Sequence, residues 1–194
     1  MGESPSRGLP RAIDILLASA GLAVASPLLA VAAVAIKLTS QGPVIYRQRR
    51  VGQGGEPFDL YKLRTMRLGA DPVGVGRPVL EGDPRVTAPG RLLRRFSLDE
   101  IPNLVNVLRG EMAIVGPRPT LAAQVEAYTP RQRRRLEVKP GLTGWAQVNG
   151  RAGIPWEQRI ELDVWYVDNR SLALDLRILA RTARLLVTGH GLYG

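Results

Sequence analysis

Residues 12–38 read AIDILLASAGLAVASPLLAVAAVAIKL, and the fold turns on what this stretch does. No charge occurs between Ile15 and Ile36. At 1.5 Å per residue that length reaches across a hydrocarbon core of about 30 Å. A simple crossing conflicts with two features. Ser26-Pro27 falls near the middle, where proline removes a helix hydrogen bond and clashes with the preceding turn. Cations also flank both ends: Arg7 and Arg11 before, Lys37, Arg47, Arg49 and Arg50 after. Basic residues gather on the cytoplasmic side of a membrane, so both ends point to one face. A re-entrant hairpin satisfies both features, with two short helices meeting at Ser26-Pro27 and the Ser26 hydroxyl serving a carbonyl that Pro27 frees. The competing readings are a kinked single span, a buried core helix and a signal peptide. The last lacks an A-x-A-like cleavage site followed by a cysteine-bearing mature domain.

The chain of 194 residues carries a net charge of +10, from 24 Arg and 3 Lys against 17 acidic residues. Such an excess suits phosphates or an anionic membrane surface. There is no cysteine, so disulfides, zinc-thiolate sites and thiol nucleophiles are excluded. A single histidine, His190, argues against a histidine triad or a multi-histidine metal centre. Acid–base and metal chemistry would therefore fall mainly to carboxylates.

Beyond the apolar segment, Val44–Arg47 and Phe58–Arg64 read as two strands of a hairpin turning at Gly52-Gln53-Gly54-Gly55. Residues 69–90 are rich in Gly, Pro and Asp and read as a long loop. A short helix is expected from Gly90 to Arg95. A longer one is expected from Leu98 to Leu108, with Ile101, Leu104, Val105 and Leu108 on one face and Asp99, Asn103 and Asn106 on the polar face opposite. Thr129-Pro130 opens a helix through Arg131–Leu136, ended by Pro140-Gly141. Residues 140–151 read as a glycine-punctuated loop. Amphipathic helices follow at 156–168 and 174–187, the latter with Arg177, Arg181 and Arg184 as a stripe beside a wide apolar face. That stripe fits a membrane interface or a solvated helix edge equally.

Two segments carry candidate chemistry. Ser97-Leu98-Asp99-Glu100 has the capping-box pattern, with Ser97 as N-cap and Glu100 reaching back. The same acidic pair, set among arginines, stays ionised and can hold a divalent cation, act as a nucleophile, or divide the two tasks. Gly116-Pro117-Arg118-Pro119 is a stiff strut presenting one guanidinium, suited to bidentate phosphate binding or simply a proline-bounded turn. Arg47, Arg49, Arg50, Lys62 and Arg64 either contact phosphate or decorate a hairpin near lipid headgroups. The Arg131–Arg135 run reads as a solvated helix face. Trp145, Trp156 and Trp165 read as core or interface residues.

Taken in order, these segments resemble the bacterial sugar transferases, monotopic polyprenyl-phosphate glycosyl-1-phosphate transferases. The resemblance rests on Ser26-Pro27, Gly42-Pro43, Gln48 with Arg50-Val51-Gly52, Phe58 through Lys62, Arg64 and Met66. It continues through Asp83-Pro84-Arg85-Val86-Thr87, Leu93-Arg94, Ser97 to Glu100 and Asn106-Val107-Leu108. It ends with Val115 to Pro119, Pro140 to Trp145 and Gln147 to Arg151. Asn103 stands where many relatives have Gln, and Thr65 where Ser is common.

The resemblance implies an α+β, mostly helical fold. Residues 1–40 would form a re-entrant membrane anchor broken at Ser26-Pro27. Residues 41–194 would form one catalytic unit on the cytoplasmic face of the bacterial inner membrane, with amphipathic interfacial helices around the active site. The chain looks like the minimal form, without extra transmembrane helices. Asp99 would attack the β-phosphate of a UDP-sugar, releasing UMP, and a polyprenyl (undecaprenyl) phosphate would take the sugar phosphate from the resulting intermediate. Glu100 would bind Mg²⁺ with Asp99 beside it, and Arg94, Arg118, Arg151, Lys62 and Arg64 would contact phosphate. Membrane lipids are partners, nucleic acid is not, and a homo-oligomer is left open. The rival is a non-catalytic, membrane-tethered basic module for nucleic acid or anionic lipid, which gives no reason for the acidic pair. A Mg²⁺-dependent lipid phosphatase is the enzymatic rival.

Overall fold

A computed structural model describes residues 8–70, 82–150 and 153–188 of the chain, without the side chains of 187 and 188. The fold is α+β and mostly helical, and its first element dominates. Helix α1 (Arg11–Thr39) runs 29 residues with Pro27 inside it. The expected division into two short helices gives way to one continuous element, and the reason is local. Pro27 leaves the Ala23 carbonyl without its usual donor, and the Ser26 hydroxyl donates to that carbonyl at 2.8 Å.

Both ends of α1 are bonded to the same body. At the start, Arg11 donates to the Leu108 carbonyl at 3.0 Å, and the buried Asp14 carboxylate accepts from Ile114 N at 3.0 Å. Ala18 and Gly21 keep this stretch thin enough for Leu104; a Cβ on Gly21 would lie 3.0 Å from Leu104 Cδ1. At the far end, Ala32 and Ile36 pack with Leu63 and Leu93, and Arg64 donates to the Ser40 carbonyl at 2.8 Å. Between these anchor points the helix is bare, with Val24 at 82% and Val31 at 67% exposure. A core helix would bury those side chains, so the buried-core reading fails. Length and apolar composition match a membrane element.

Strands β1 (Ile45–Val51) and β2 (Pro57–Leu63) form the anticipated antiparallel hairpin, in register from Ile45 opposite Leu63 to Val51 opposite Pro57. Gly54 and Gly55 turn it with φ of 68° and 88°, a region closed to most side chains. Helix α2 (Ala88–Arg95) starts two residues earlier than its apolar pattern suggested, because the Thr87 hydroxyl caps it by accepting from Gly90 N at 3.1 Å. Of the 69–90 loop, residues 71–81 lie outside the described part.

The helix expected over Leu98–Leu108 is not one helix. Leu98–Glu100 is a single 3₁₀ turn, and α3 (Asn103–Arg109) begins after Pro102. Pro102 has no N–H, so the ladder cannot continue through it and the turn closes with three-residue bonds instead. Ser97 does not cap this turn. It lies in the left-handed region at φ 54°, alone in that among described non-glycine residues, and its side chain makes no capping bond. The supposed polar face of α3 is also internal. Asn106 is fully buried, donating to the Asp59 carbonyl and to Glu111 at 2.7 Å each, and accepting from Tyr61 N at 3.1 Å. It fastens α3 to the edge of β2.

Residues 140–151, expected as loop, contain β4 (Gly141–Thr143) and the single-turn helix α6 (Trp145–Val148). Strand β4 pairs in parallel with β3 (Ala113–Val115), Ala113 opposite Gly141 and Val115 opposite Thr143. Three-residue strands are too short to show an alternation. Short helices α4 (Ala122–Glu126) and α5 (Pro130–Arg133) follow β3, and Thr129 caps α5 as its sequence suggested. Helices α7 (Trp156–Asn169) and α8 (Leu172–Thr188) close the body around Val107, Met112, Tyr166 and Ile178. Asp175, fully buried, accepts from Leu9 N and from the Tyr166 hydroxyl at 2.7 Å each, binding the foot of the anchor to α8. Arg177, Arg181 and Arg184 are exposed; Arg181 reaches the ring of Trp145, which stacks on Trp165.

Close approach makes one glycine decisive. A Cβ on Gly90 would lie 2.0 Å from the Thr65 carbonyl oxygen, whereas nothing lies within 4 Å of one on Gly153. Gly90→Ala should cost about 1–3 kcal/mol of stability, as overpacking does, and Gly153→Ala close to none. Thermal unfolding of both variants in detergent checks this, and equal losses would contradict the packing described.

Candidate active site

Lys62, near the end of β2, points toward the 3₁₀ turn at Leu98–Glu100. From the other side Arg118 approaches on the Pro117–Pro119 strut. Their meeting point is Glu100. Its Oε1 accepts from Lys62 Nζ at 2.7 Å and from Arg118 Nη2 at 2.5 Å, while Oε2 accepts from Arg118 Nη1 at 3.3 Å. Burial raises the Glu100 carboxyl, but the Arg118 guanidinium and the Lys62 ammonium outweigh it and hold the group well below the ordinary carboxylate range. Burial in turn lowers the Lys62 ammonium, against the pull of Glu100.

Asp99 is the contrasting half of the pair. Among the described residues it makes no hydrogen bond or ion pair. Burial raises its pKa, the Glu100 charge raises it further, and Lys62, Arg94 and Arg118 oppose the shift. The expectation that both carboxyls sit low therefore holds for Glu100 only. Two adjacent carboxyls with pKa values driven apart have different tasks. Glu100 is fixed and charged; Asp99 is free to engage something that is not protein.

The other sequence candidates separate. Arg94 donates Nε to the buried Thr65 hydroxyl at 2.8 Å, and its charge acts on Asp99. Arg64 is buried at the C-terminal end of α1 with the Ser40 carbonyl, so it is not part of the Glu100 cluster. Ser26 and Pro27 belong to the anchor. Arg151 and His190 lie outside the described residues.

Two residues escaped the sequence reading, Arg135 and Asp163, and a third, Arg50, figures in it only as one of several hairpin cations. Arg50 lines the same cavity as Lys62, Glu100 and Arg118. Burial and the like charge of Arg118 bring its pKa down to about 10. Arg135, read as part of a solvated run, is 4% exposed and ion-paired with Asp163, which is 2% exposed. The three arginines before it, Arg131, Arg133 and Arg134, stay outside, so one residue of the run turns inward. No periodicity marks it; only the inward-facing Asp163 on α7 is a clue.

These residues explain how Arg118 is held. Pro117 and Pro119 have no N–H groups, so the strut must be fixed through its carbonyls. Each carbonyl from 117 to 120 accepts from a different part of the fold. Gly141 N donates to Pro117 at 2.9 Å, Arg135 to Arg118 at 2.9 Å, Arg50 to Pro119 at 3.3 Å, and Val51 N to Thr120 at 2.9 Å. Arg135 is itself fixed by Asp163 and by the Tyr128 hydroxyl. The rigidity anticipated from two prolines is thus completed by two arginines and two backbone donors.

Among the described residues no group of three acidic or histidine side chains could cage a metal. Magnesium does not need one. It keeps several waters and takes one or two carboxylates together with substrate phosphate oxygens. The Asp99–Glu100 pair fits an ion that arrives with a phosphorylated substrate, and does not fit a stand-alone protein site. Cations on three sides with a free carboxylate between them offer the charge and donor geometry that phosphate oxygens pair with.

Comparison with known proteins places the chain in a family. Residues 6–189 match the family model described as bacterial sugar transferase. The chain is 46% identical to a Bacillus subtilis protein named as an uncharacterized sugar transferase, EpsL, over 95% of this chain and 90% of that one. It is 45% identical to a UDP-glucose:undecaprenyl-phosphate glucose-1-phosphate transferase of Caulobacter vibrioides, over 94% of this chain and 71% of the relative. A transferase of the same name from Escherichia coli is 44% identical over 91% of this chain, which covers 40% of that protein's length. The chain therefore belongs to the bacterial sugar transferase family.

Proposed function

We propose that this protein transfers a sugar-1-phosphate from a UDP-sugar to a membrane polyprenyl phosphate through a covalent intermediate on Asp99. The observation that carries the reading is the inequality of the acidic pair: Glu100 is locked by Lys62 and Arg118, while Asp99 has no protein partner among the described residues. An Asp99 oxygen attacks the β-phosphorus. The bond from that phosphorus to the bridging oxygen of UMP breaks, and UMP leaves with the electron pair. A phosphate oxygen of the polyprenyl phosphate then attacks the same phosphorus. The aspartyl P–O bond breaks, the carboxylate is restored, and a polyprenyl-diphosphate-sugar leaves.

Such a reaction needs positioning and charge neutralisation more than a base. Arg118 and Lys62 supply fixed positive charge, and Arg94 adds charge beside Asp99. Mg²⁺, held by Glu100 and Asp99 when bound, would neutralise phosphate oxygens. Phosphate contact by Arg151 belongs to the same proposal. The relatives' names, as UDP-glucose:undecaprenyl-phosphate transferases, support the substrate classes and a place early in polysaccharide synthesis.

The anchor completes the reading. Bonds from both ends of α1 to one body favour an anchor that dips into the cytoplasmic face of the membrane and returns. The site then lies at headgroup depth, where a lipid-borne phosphate meets a soluble nucleotide.

Incubated with UDP-sugar and Mg²⁺ but no lipid, the wild type should accumulate phosphosugar on Asp99, detectable by intact-protein mass spectrometry. Asp99→Asn should lower UMP release by about 10³-fold or more, as loss of a nucleophile does; full turnover would refute the assignment. Turnover should fall with decreasing pH as Asp99 takes up a proton, with a midpoint above its ordinary 3.8. Arg94→Gln removes an opposing charge and should move that acid limb further up, as read from kcat/KM against pH. The chain has no native cysteine, so single-cysteine variants Pro10→Cys and Gln41→Cys report topology cleanly. Both should be shielded from an impermeant thiol reagent in intact cells, and labelling of either from outside would exclude the re-entrant anchor.

A further inference from the structure

Two asparagines on α3 have opposite fates. Asn106, fully buried, satisfies its carboxamide on both sides with Tyr61 N, the Asp59 carbonyl and Glu111. Asn103 is nearly as buried, at 3% exposure, yet its carboxamide makes no hydrogen bond among the described residues and its Oδ1 is sealed from solvent without a partner. Leaving a buried amide unmet costs about 1–3 kcal/mol, so native folds rarely keep one without a use. Asn103 also lines the cavity formed by Arg50, Lys62, Glu100 and Arg118, and sits three residues beyond Glu100.

We propose that Asn103 is a donor-sugar recognition residue whose carboxamide is completed by a hydroxyl, or the amide of an N-acyl group, on the sugar of the UDP-sugar. This rests on the transferase reading above and deepens it. The ligand class follows from the surroundings. Phosphate oxygens in this cavity have Lys62 and Arg118 to meet them, and a neutral carboxamide competes poorly with those charges. What an amide matches is a neutral group that both donates and accepts, as sugar hydroxyls do. The same cavity combines these polar groups with apolar walls at Leu60, Met112 and Leu142, the mixture typical of small-molecule sites. A site that hydrogen-bonds a particular hydroxyl discriminates strongly against an analogue lacking it, because its own polar group is then stranded. Asn103 is therefore placed to rank sugars rather than to perform the transfer.

The test separates ligand recognition from structure. Because the amide has no protein partner to lose, Asn103→Leu should leave the unfolding temperature unchanged or raise it. The same variant should lower kcat/KM for the preferred UDP-sugar about tenfold, the effect of one hydrogen bond lost. Calorimetric titration in an Asp99→Asn background should show UDP-sugar binding weakened while UDP binding is unchanged. Asn103→Gln, which returns the carboxamide one methylene further out, should recover part of the binding and reorder a panel of UDP-sugars. Equal weakening of UDP and UDP-sugar would overturn the sugar assignment. So would lowered stability in both Asn103→Leu and Asn103→Ala, since the amide would then be structural. Wild-type UMP release is measured alongside: its absence with every UDP-sugar refutes the transferase reading, whereas its presence with unaltered sugar ranking in the variants refutes only the role of Asn103.

Discussion

Glu100 is the point on which three separate pieces of this structure converge. A carboxylate at one-fifth side-chain exposure is costly to keep charged unless cations meet it. Lys62 arrives from the hairpin and Arg118 from the proline strut, so the ion cluster fixes the distance between two elements that share no sheet. Removing any one partner strands the others, a far larger penalty than the loss of a surface pair. Asp99 gains its character from the same arrangement. Its neighbour has taken the nearest cations, which leaves the Asp99 carboxyl with a raised pKa and without a protein partner among the described residues.

The strut shows how rigidity is built when a segment gives up its own donors. Prolines at 117 and 119 restrict the backbone, but they cannot register it against anything. Registration comes from four carbonyls, met by Gly141, Arg135, Arg50 and Val51. Arg135 can serve because Asp163 neutralises it in the interior and the rings of Tyr128 and Trp156 lie beneath its guanidinium. The Arg118 guanidinium is thereby carried on a scaffold with little freedom to reorient. Preorganisation of this kind is what phosphoryl transfer demands of a protein.

The anchor is joined to this scaffold through polar contacts more than through apolar area. Asp14 accepts from Ile114 N one residue inside β3, and Arg64 holds Ser40 just past β2. These contacts link both ends of α1 to the strands that carry Lys62 and lead to Arg118. Arg64, a candidate for phosphate, is thus engaged in holding the C-terminal end of α1 to the body. The central stretch of α1 exposes apolar side chains such as Val24 and Val31, as a membrane-associated helix does.

Much was legible in the sequence because it depends on local chemistry. The apolar run with Ser26-Pro27, the glycine turn of the hairpin, the Thr129 cap and the two C-terminal amphipathic helices follow from periodicity and turn residues, and the structure contains them. The absence of cysteine and the near-absence of histidine left carboxylates as the main candidates for acid–base and metal chemistry. What failed was local pattern overruled by a neighbouring proline or by distant contacts. Ser97 to Glu100 has a capping box by sequence, yet Pro102 ends the ladder and leaves a 3₁₀ turn with Ser97 left-handed. The three-residue strands at 113–115 and 141–143 exist only because each finds the other. No sequence rule distinguishes Asn103 from Asn106, or Arg135 from the arginines before it. Residue type and order determined which groups this protein can use; the tertiary structure decided which of them are spent on one another and which stay free, because burial and pairing are properties of neighbours that the chain brings together from far apart.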